Sequence, residues 1–188
     1  FKKGDDFVYD KWQTPSFLDT DPYEVLNQTD TSALFACDAE TVNYSGTPLK
    51  FRIEREVVIL SRDQISNYTG INPEGLNVVA YRSANSIMNK GEKEWVKETG
   101  LLSVWMLGMF NPSPSVVVAI PFNPGDEKIM GPPVNDNYFG KIAADRLKIK
   151  GNHIFFRCDG QSRGKIGLSP LRSKGIMGSY DSANNILT

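Results

Sequence analysis

Arg163, Lys165 and Arg172 fall close together in the last third of the chain, among Asp145, Arg146, Arg157, Asp159 and Lys174. Guanidinium and ammonium groups gathered on one surface hold carboxylates, phosphates or sugar hydroxyls through charge-assisted hydrogen bonds. A single residue separates Arg163 from Lys165, so on a strand both project from the same face. The plain alternative for these residues is a solvated basic face. The run Gly160-Gln161-Ser162-Arg163-Gly164-Lys165-Ile166 is not a phosphate-binding P-loop, because it lacks the spacing and the Ser or Thr that follows the lysine.

Arg55 carries a different signal. Alternation puts it on the apolar side of its segment, between Ile53 and Val57. A charge in that position pairs with a buried carboxylate, snorkels to the sheet edge, or lines a polar cavity that takes a ligand.

Acid–base chemistry has fewer candidates. His153 is the one histidine, so a Ser-His-Asp triad or a zinc site would have to use it, yet Gly151-Asn152-His153-Ile154 reads as a turn entering a strand. Glu54 and Glu56 share one strand face beside Arg52 and read as a solvated charge ladder rather than a glycosidase-type acid pair. Asp136, Asp145 and Asp159 are the acids that a hydrolase or lyase built on carboxylates and an arginine would use. Cys37 and Cys158 lie in apolar runs without metal-ligand spacing, and are expected as unpaired core thiols. No metal and no cofactor is expected. Trp12, Trp95, Trp105 and Tyr138 interleave with polar residues; such rings stack on sugars when exposed and fill a sandwich core when not. Asn-x-Ser/Thr triplets at Asn27, Asn43 and Asn67 are explained by chance.

The elements that must position these groups read as strands. Residues 49–60, LKFRIEREVVIL, alternate: Leu49, Phe51, Ile53, Val57 and Ile59 face one way, and Lys50, Arg52, Glu54 and Glu56 the other. Further strands are expected at 32–37, 76–88, 116–120, 165–168 and 176–180, with a strand pair or one long bent strand over 95–110. Residues 147–149 and 154–158 flank Lys150-Gly151-Asn152 as a hairpin. Helical turns are expected only at 22–26 and 63–68. The 16 Gly and 11 Pro are dispersed and no fixed-period repeat occurs, which leaves neither a helical protein nor a propeller or solenoid. The fold class is all-β, an antiparallel β-sandwich, expected as a single domain over residues 1–188.

Composition limits the partners. A chain of 188 residues with 40% hydrophobic and 23% charged residues has the make-up of a soluble globular protein. Its formal net charge of −1 supplies no global attraction to nucleic acid. The longest apolar stretch, Leu101 to Phe110, is broken by Ser103 and Gly108 and is too short to span a bilayer. The first residue is Phe1 and the last residues are the apolar run Asn185-Ile186-Leu187-Thr188, so the chain is expected to be the central segment of a longer protein.

Three stretches carry a resemblance. Residues 95–123, WVKETGLLSVWMLGMFNPSPSVVVAIPFN, residues 138–181, YFGKIAADRLKIKGNHIFFRCDGQSRGKIGLSPLRSKGIMGSYD, and the opening FKKGDDFVYDKWQTPSFLDTDPYEV resemble domain of unknown function 6786, a family of Bacteroides-type bacteria. The similarity covers the whole chain. Its members are longer at both ends and usually exported, which implies a periplasmic or cell-surface setting.

NVVAYRSANSIMNKGEKEWVKETGLLSVW is also similar to the aldose-epimerase-like (galactose mutarotase-like) β-supersandwich, which implies a concave sheet facing carbohydrate. Aldose epimerases use histidines and a glutamate as acid and base. The position after the second strand here reads Leu107-Gly108-Met109-Phe110-Asn111, with no histidine, so the chemistry of that family is not implied. Together with the inward-facing Arg55, this similarity implies a carbohydrate ligand against Arg55, Arg82, Arg163, Lys165 and Arg172, with Asp159 beside them. A noncatalytic surface or scaffold domain, and the carboxylate–arginine hydrolase or lyase, stand as the other two readings.

Overall fold

The computed structural model describes residue 1 and residues 3–188, with Tyr9 described by its backbone alone. The chain forms two compact units, Phe1–Leu107 and Gly108–Thr188. Each is built on one antiparallel sheet, of four and five strands. The protein is therefore mostly β, as the alternating segments imply.

The first unit carries β1 (Glu24–Gln28), β2 (Ser32–Val42), β3 (Pro48–Ile59) and β4 (Tyr81–Asn89), paired in that order. In β3 the alternation read from the sequence becomes two chemically distinct faces. On one face, Ala39, Leu49 and Phe51 are buried, and Cys37, Ile53 and Ile87 pack against them with Phe17, Trp95 and Leu102. Phe17, on the short helix α1 (Ser16–Asp19), meets Phe51 edge-on at 5.5 Å. The other face is an ion-pair ladder: Lys50 to Glu40 at 2.8 Å, Arg52 to Asp38 and Glu54 at 2.9 Å each, and Arg82 to Glu56 at 3.4 Å. Opposite charges on neighbouring strands are the partners a solvated sheet face selects.

Three expectations need correction over residues 22–110. Residues 22–26 are not a helical turn: Glu24–Gln28 is strand β1, paired to β2 through a tight turn in which Thr29 N–H donates to the Ser32 carbonyl. Just before that strand, Asp21 accepts from the Ser16 hydroxyl at 2.8 Å. The strand expected from residue 76 begins only at Tyr81. Finally, no strand occupies 95–110. There the chain turns at Val96–Gly100, where Gly100 N–H donates to the Val96 carbonyl, and Gly100 holds φ at +114° with the Asn43 amide where a Cβ would stand.

The helix expected at 63–68 is present as α2 (Arg62–Thr69). Ser61 and Gln64 form a reciprocal capping box at its start, and Gly70 ends it in the left-handed region.

The second unit carries α3 (Glu127–Met130) and β5 (Val116–Pro121), β6 (Leu147–Lys150), β7 (His153–Arg157), β8 (Gly178–Asp181) and β9 (Ile186–Leu187). Their spatial order is β6-β7-β5-β8-β9. The β6–β7 hairpin turns where expected, with Gly151 at φ +55°. By register Ile149, Ile154 and Ile120 form one cross-strand row, and Leu147, Phe156 and Val118 the next. Ile154, on the central strand side of that row, has no exposed surface. Residues 165–168, expected as a strand, make only a single bridge, Gly167 to Asn135.

Candidate functional site

In the second unit a short loop is held at both ends and presents two aromatic rings at its tip. Asn135 and Gly167 exchange backbone hydrogen bonds at 2.8 and 2.9 Å. The Asn135 side chain accepts from the Asn137 N–H at 2.9 Å, tightening the turn. Asp136 is buried and accepts from Lys141 Nζ and the Ile142 N–H, both at 3.1 Å. Those donors, led by the Ile142 N–H, hold its carboxyl below the usual range. With Asp136 turned inward, Tyr138 and Phe139 turn outward, and Tyr138 is 69% exposed.

The two rings meet edge-to-face at 4.7 Å, and each carries a cation. Lys165 Nζ stands 4.0 Å from the centre of the Tyr138 ring, and the Arg163 guanidinium carbon 4.0 Å from that of Phe139. Arg163 and Lys165 thus lie over adjoining rings, although the segment that carries them is not the strand from which a shared face was expected. Beside Tyr138 runs an open groove of about 520 Å³, lined among others by Pro132, Asn135, Asn137, Lys165 and Ser169.

The other members of the expected set have partners or placements of their own. Arg172 is 1% exposed and its guanidinium is consumed by backbone carbonyls: Asn123 at 2.9 Å, Gly125 at 3.0 Å, and Gly131 at 3.1 and 2.8 Å. Asp159 is gripped by Arg146 through both its oxygens, by Arg157 Nε at 2.9 Å, and by the Gln161 N–H at 3.0 Å. The Arg146 bond, then that N–H, bring its pKa to about 2. Arg55 and Arg82 belong to the first unit, on opposite faces of its sheet; Arg82 pairs with Glu56.

Candidates for acid–base work are placed as follows. His153 is exposed at the start of β7, stacked at 6.3 Å on Phe155 of the same strand. Asp145 is exposed. Cys37 and Cys158 are free, one in each unit, and burial raises both thiols, with Asp21 and Asp38 adding to the effect at Cys37. Neither is poised as a nucleophile. Among the described residues no group of three or more His, Cys, Asp or Glu is arranged to hold a metal ion, and no helix is long and apolar enough to cross a membrane.

Sequence reasoning singled out Tyr138, Arg163 and Lys165 but not Phe139, Asn135 or Asn137. The signal was the run Pro132-Pro133-Val134-Asn135-Asp136-Asn137-Tyr138-Phe139-Gly140. Turn formers there frame an aromatic pair, the pattern of a rigid loop with something to display.

Fold and groove together define a mostly β protein with a surface cleft walled by an aromatic ring, amides and a cation. The chain belongs to the Family of unknown function (DUF6786), whose model matches residues 1–188. No curated protein matches the chain, and no solved structure does.

Proposed function

We propose that this protein binds carbohydrate, and that the groove beside Tyr138 receives the sugar. The observation that carries the proposal is the exposed Tyr138 ring, set on a braced loop with the Asn137 amide and the Lys165 ammonium at the same groove. A sugar ring offers an apolar face of C–H groups and an equator of hydroxyls. An exposed aromatic ring suits the first, and amides and an ammonium suit the second. The exposed Lys165–Tyr138 contact is worth only about 0.5–1 kcal/mol, so a sugar can displace the ammonium and then be hydrogen-bonded by it. Assignment of the two sheets to a galactose mutarotase-like supersandwich, and export to the periplasm or cell surface, belong to the same proposal and rest on the resemblance.

Binding without catalysis fits the acids better than hydrolysis or elimination does. A general acid at neutral pH needs a raised pKa. Asp136 and Asp159 are both held below the usual range by their donors, and both are spent on loop geometry. A glycan array probed with the wild-type chain and with Tyr138→Ala tests the proposal. Spots bound by the wild type and lost in the variant are expected; a blank array supports the noncatalytic scaffold reading instead.

A further inference from the structure

Arg55 lies mid-strand on the core-bearing face of the first unit's sheet, yet no acid of the sheet faces it. Its cross-strand neighbours are Phe35 on β2 and Asn85 on β4. Asp38, Glu40, Glu54 and Glu56 project from the opposite face, where Lys50, Arg52 and Arg82 take them. The Arg55 Nε is sealed from solvent and has no acceptor among the described residues. A buried donor left unmet is destabilising, and so is a half-buried charge without a partner. Nothing in the sheet offsets either.

The Nη1 and Nη2 of Arg55 are neither sealed nor bonded to any described residue, so among the described residues the end-on fork of the guanidinium has no partner. On the same face, the Asn85 amide is oriented by donating to Ser83 Oγ at 3.1 Å. The half-buried Tyr23 phenol is close enough to feel the Arg55 charge. Phe17, Trp95 and Leu102 cover the end of the face at Leu49 and Phe51, whereas Ile59 and Tyr81 at the other end, and Val25 on the edge strand in the row of Arg55, are more than half exposed. Arg55 stands between the covered core and that open end.

We propose that Arg55 anchors a carboxylate-binding site on this sheet face, receiving a small organic acid end-on at Nη1 and Nη2 with Asn85 flanking it. A fork of two parallel N–H groups matches the two oxygens of a carboxylate. One charge without a second cation on the face balances a monoanion and leaves a dianionic phosphate underneutralised.

Acetate and D-glucuronate, titrated into isotope-labelled full chain, test the site through the Arg55 Nε–Hε signal and the Tyr23 ring signals. Both acids are expected to shift these signals saturably; D-glucose and inorganic phosphate are not. Acetate alone shifting them marks a simple-acid site, and D-glucuronate binding more tightly marks an acidic sugar. Arg55→Met is expected to abolish the Tyr23 shift and, without ligand, to raise Tm by a few degrees, because it keeps the packing and removes the unmet donor. No shift with either acid, an equal Tyr23 shift in Arg55→Met, or a fall in Tm overturns the proposal. Tyr138→Ala is expected to leave the titration unchanged, which separates this site from the groove of the second unit.

Discussion

Arg172 and Gly131 are joined twice, with Nε and Nη2 of the arginine both donating to the glycine carbonyl, at 3.1 and 2.8 Å. Nη1 also donates to Asn123 and Nη2 to Gly125, so one side chain ties the segment 123–131 to the loop before β8. A guanidinium can do this because its donors lie in one plane and point in fixed directions.

Replacing Arg172 with Ala therefore leaves the carbonyls of Asn123, Gly125 and Gly131 without these donors. The expected loss is about 3 kcal/mol or more, measured by urea unfolding. Arg172→Lys is expected to recover only part of it, since an ammonium cannot meet the same carbonyls with the same geometry. A near-neutral Arg172→Ala contradicts this role.

Asp159 makes stability pH-dependent. Its carboxyl titrates at about 2 in the folded chain, below the roughly 3.9 of an unfolded aspartate. The folded state then binds fewer protons than the unfolded state in that window. Its contribution is present above about pH 4 and disappears as pH falls toward 2. Tm measured against pH is expected to drop over that interval in the wild type, and Asp159→Asn is expected to start lower at neutral pH and to drop less.

The capping box at α2 sets a third expectation. Ser61 Oγ accepts from the Gln64 N–H at 3.3 Å and Gln64 Oε1 from the Ser61 N–H at 2.9 Å. Ser61→Ala is expected to destabilise by about 1 kcal/mol in urea unfolding, and Ser61→Asp to be close to neutral.

These cases mark what the residues disclose by themselves. The two faces of β3 were legible because alternation is a local property: each side chain's direction follows from the one before it. The helical turn at 63–68 was legible, but its cap at Ser61 was not singled out. Glu24–Gln28 became a strand because β2 was there to pair with it, a partner the local sequence does not name. The apolar run 101–110 has strand-like composition, but Gly100 turns the chain before it and no neighbouring strand takes it up.

At the candidate site, the spacing of Arg163 and Lys165 pointed to a shared strand face, but no strand forms there, and their meeting depends on the loop that carries Tyr138 and Phe139. The burial of Arg172 was not legible, because its acceptors lie 41 to 49 residues earlier in the chain. Arg55 was visible as a misplaced charge; that no acid of the sheet meets it depends on the register of three strands.

Carbohydrate recognition at Tyr138 is the claim on which the functional account turns. The most direct measurement is calorimetric titration of an array-selected glycan into the wild type, Tyr138→Ala and Arg82→Ala, the last being a solvated cation of the first unit. Saturable binding is expected in the wild type and in Arg82→Ala, with affinity about tenfold lower or worse in Tyr138→Ala, the size expected for losing one stacked ring. Equal affinity in wild type and Tyr138→Ala would contradict the account.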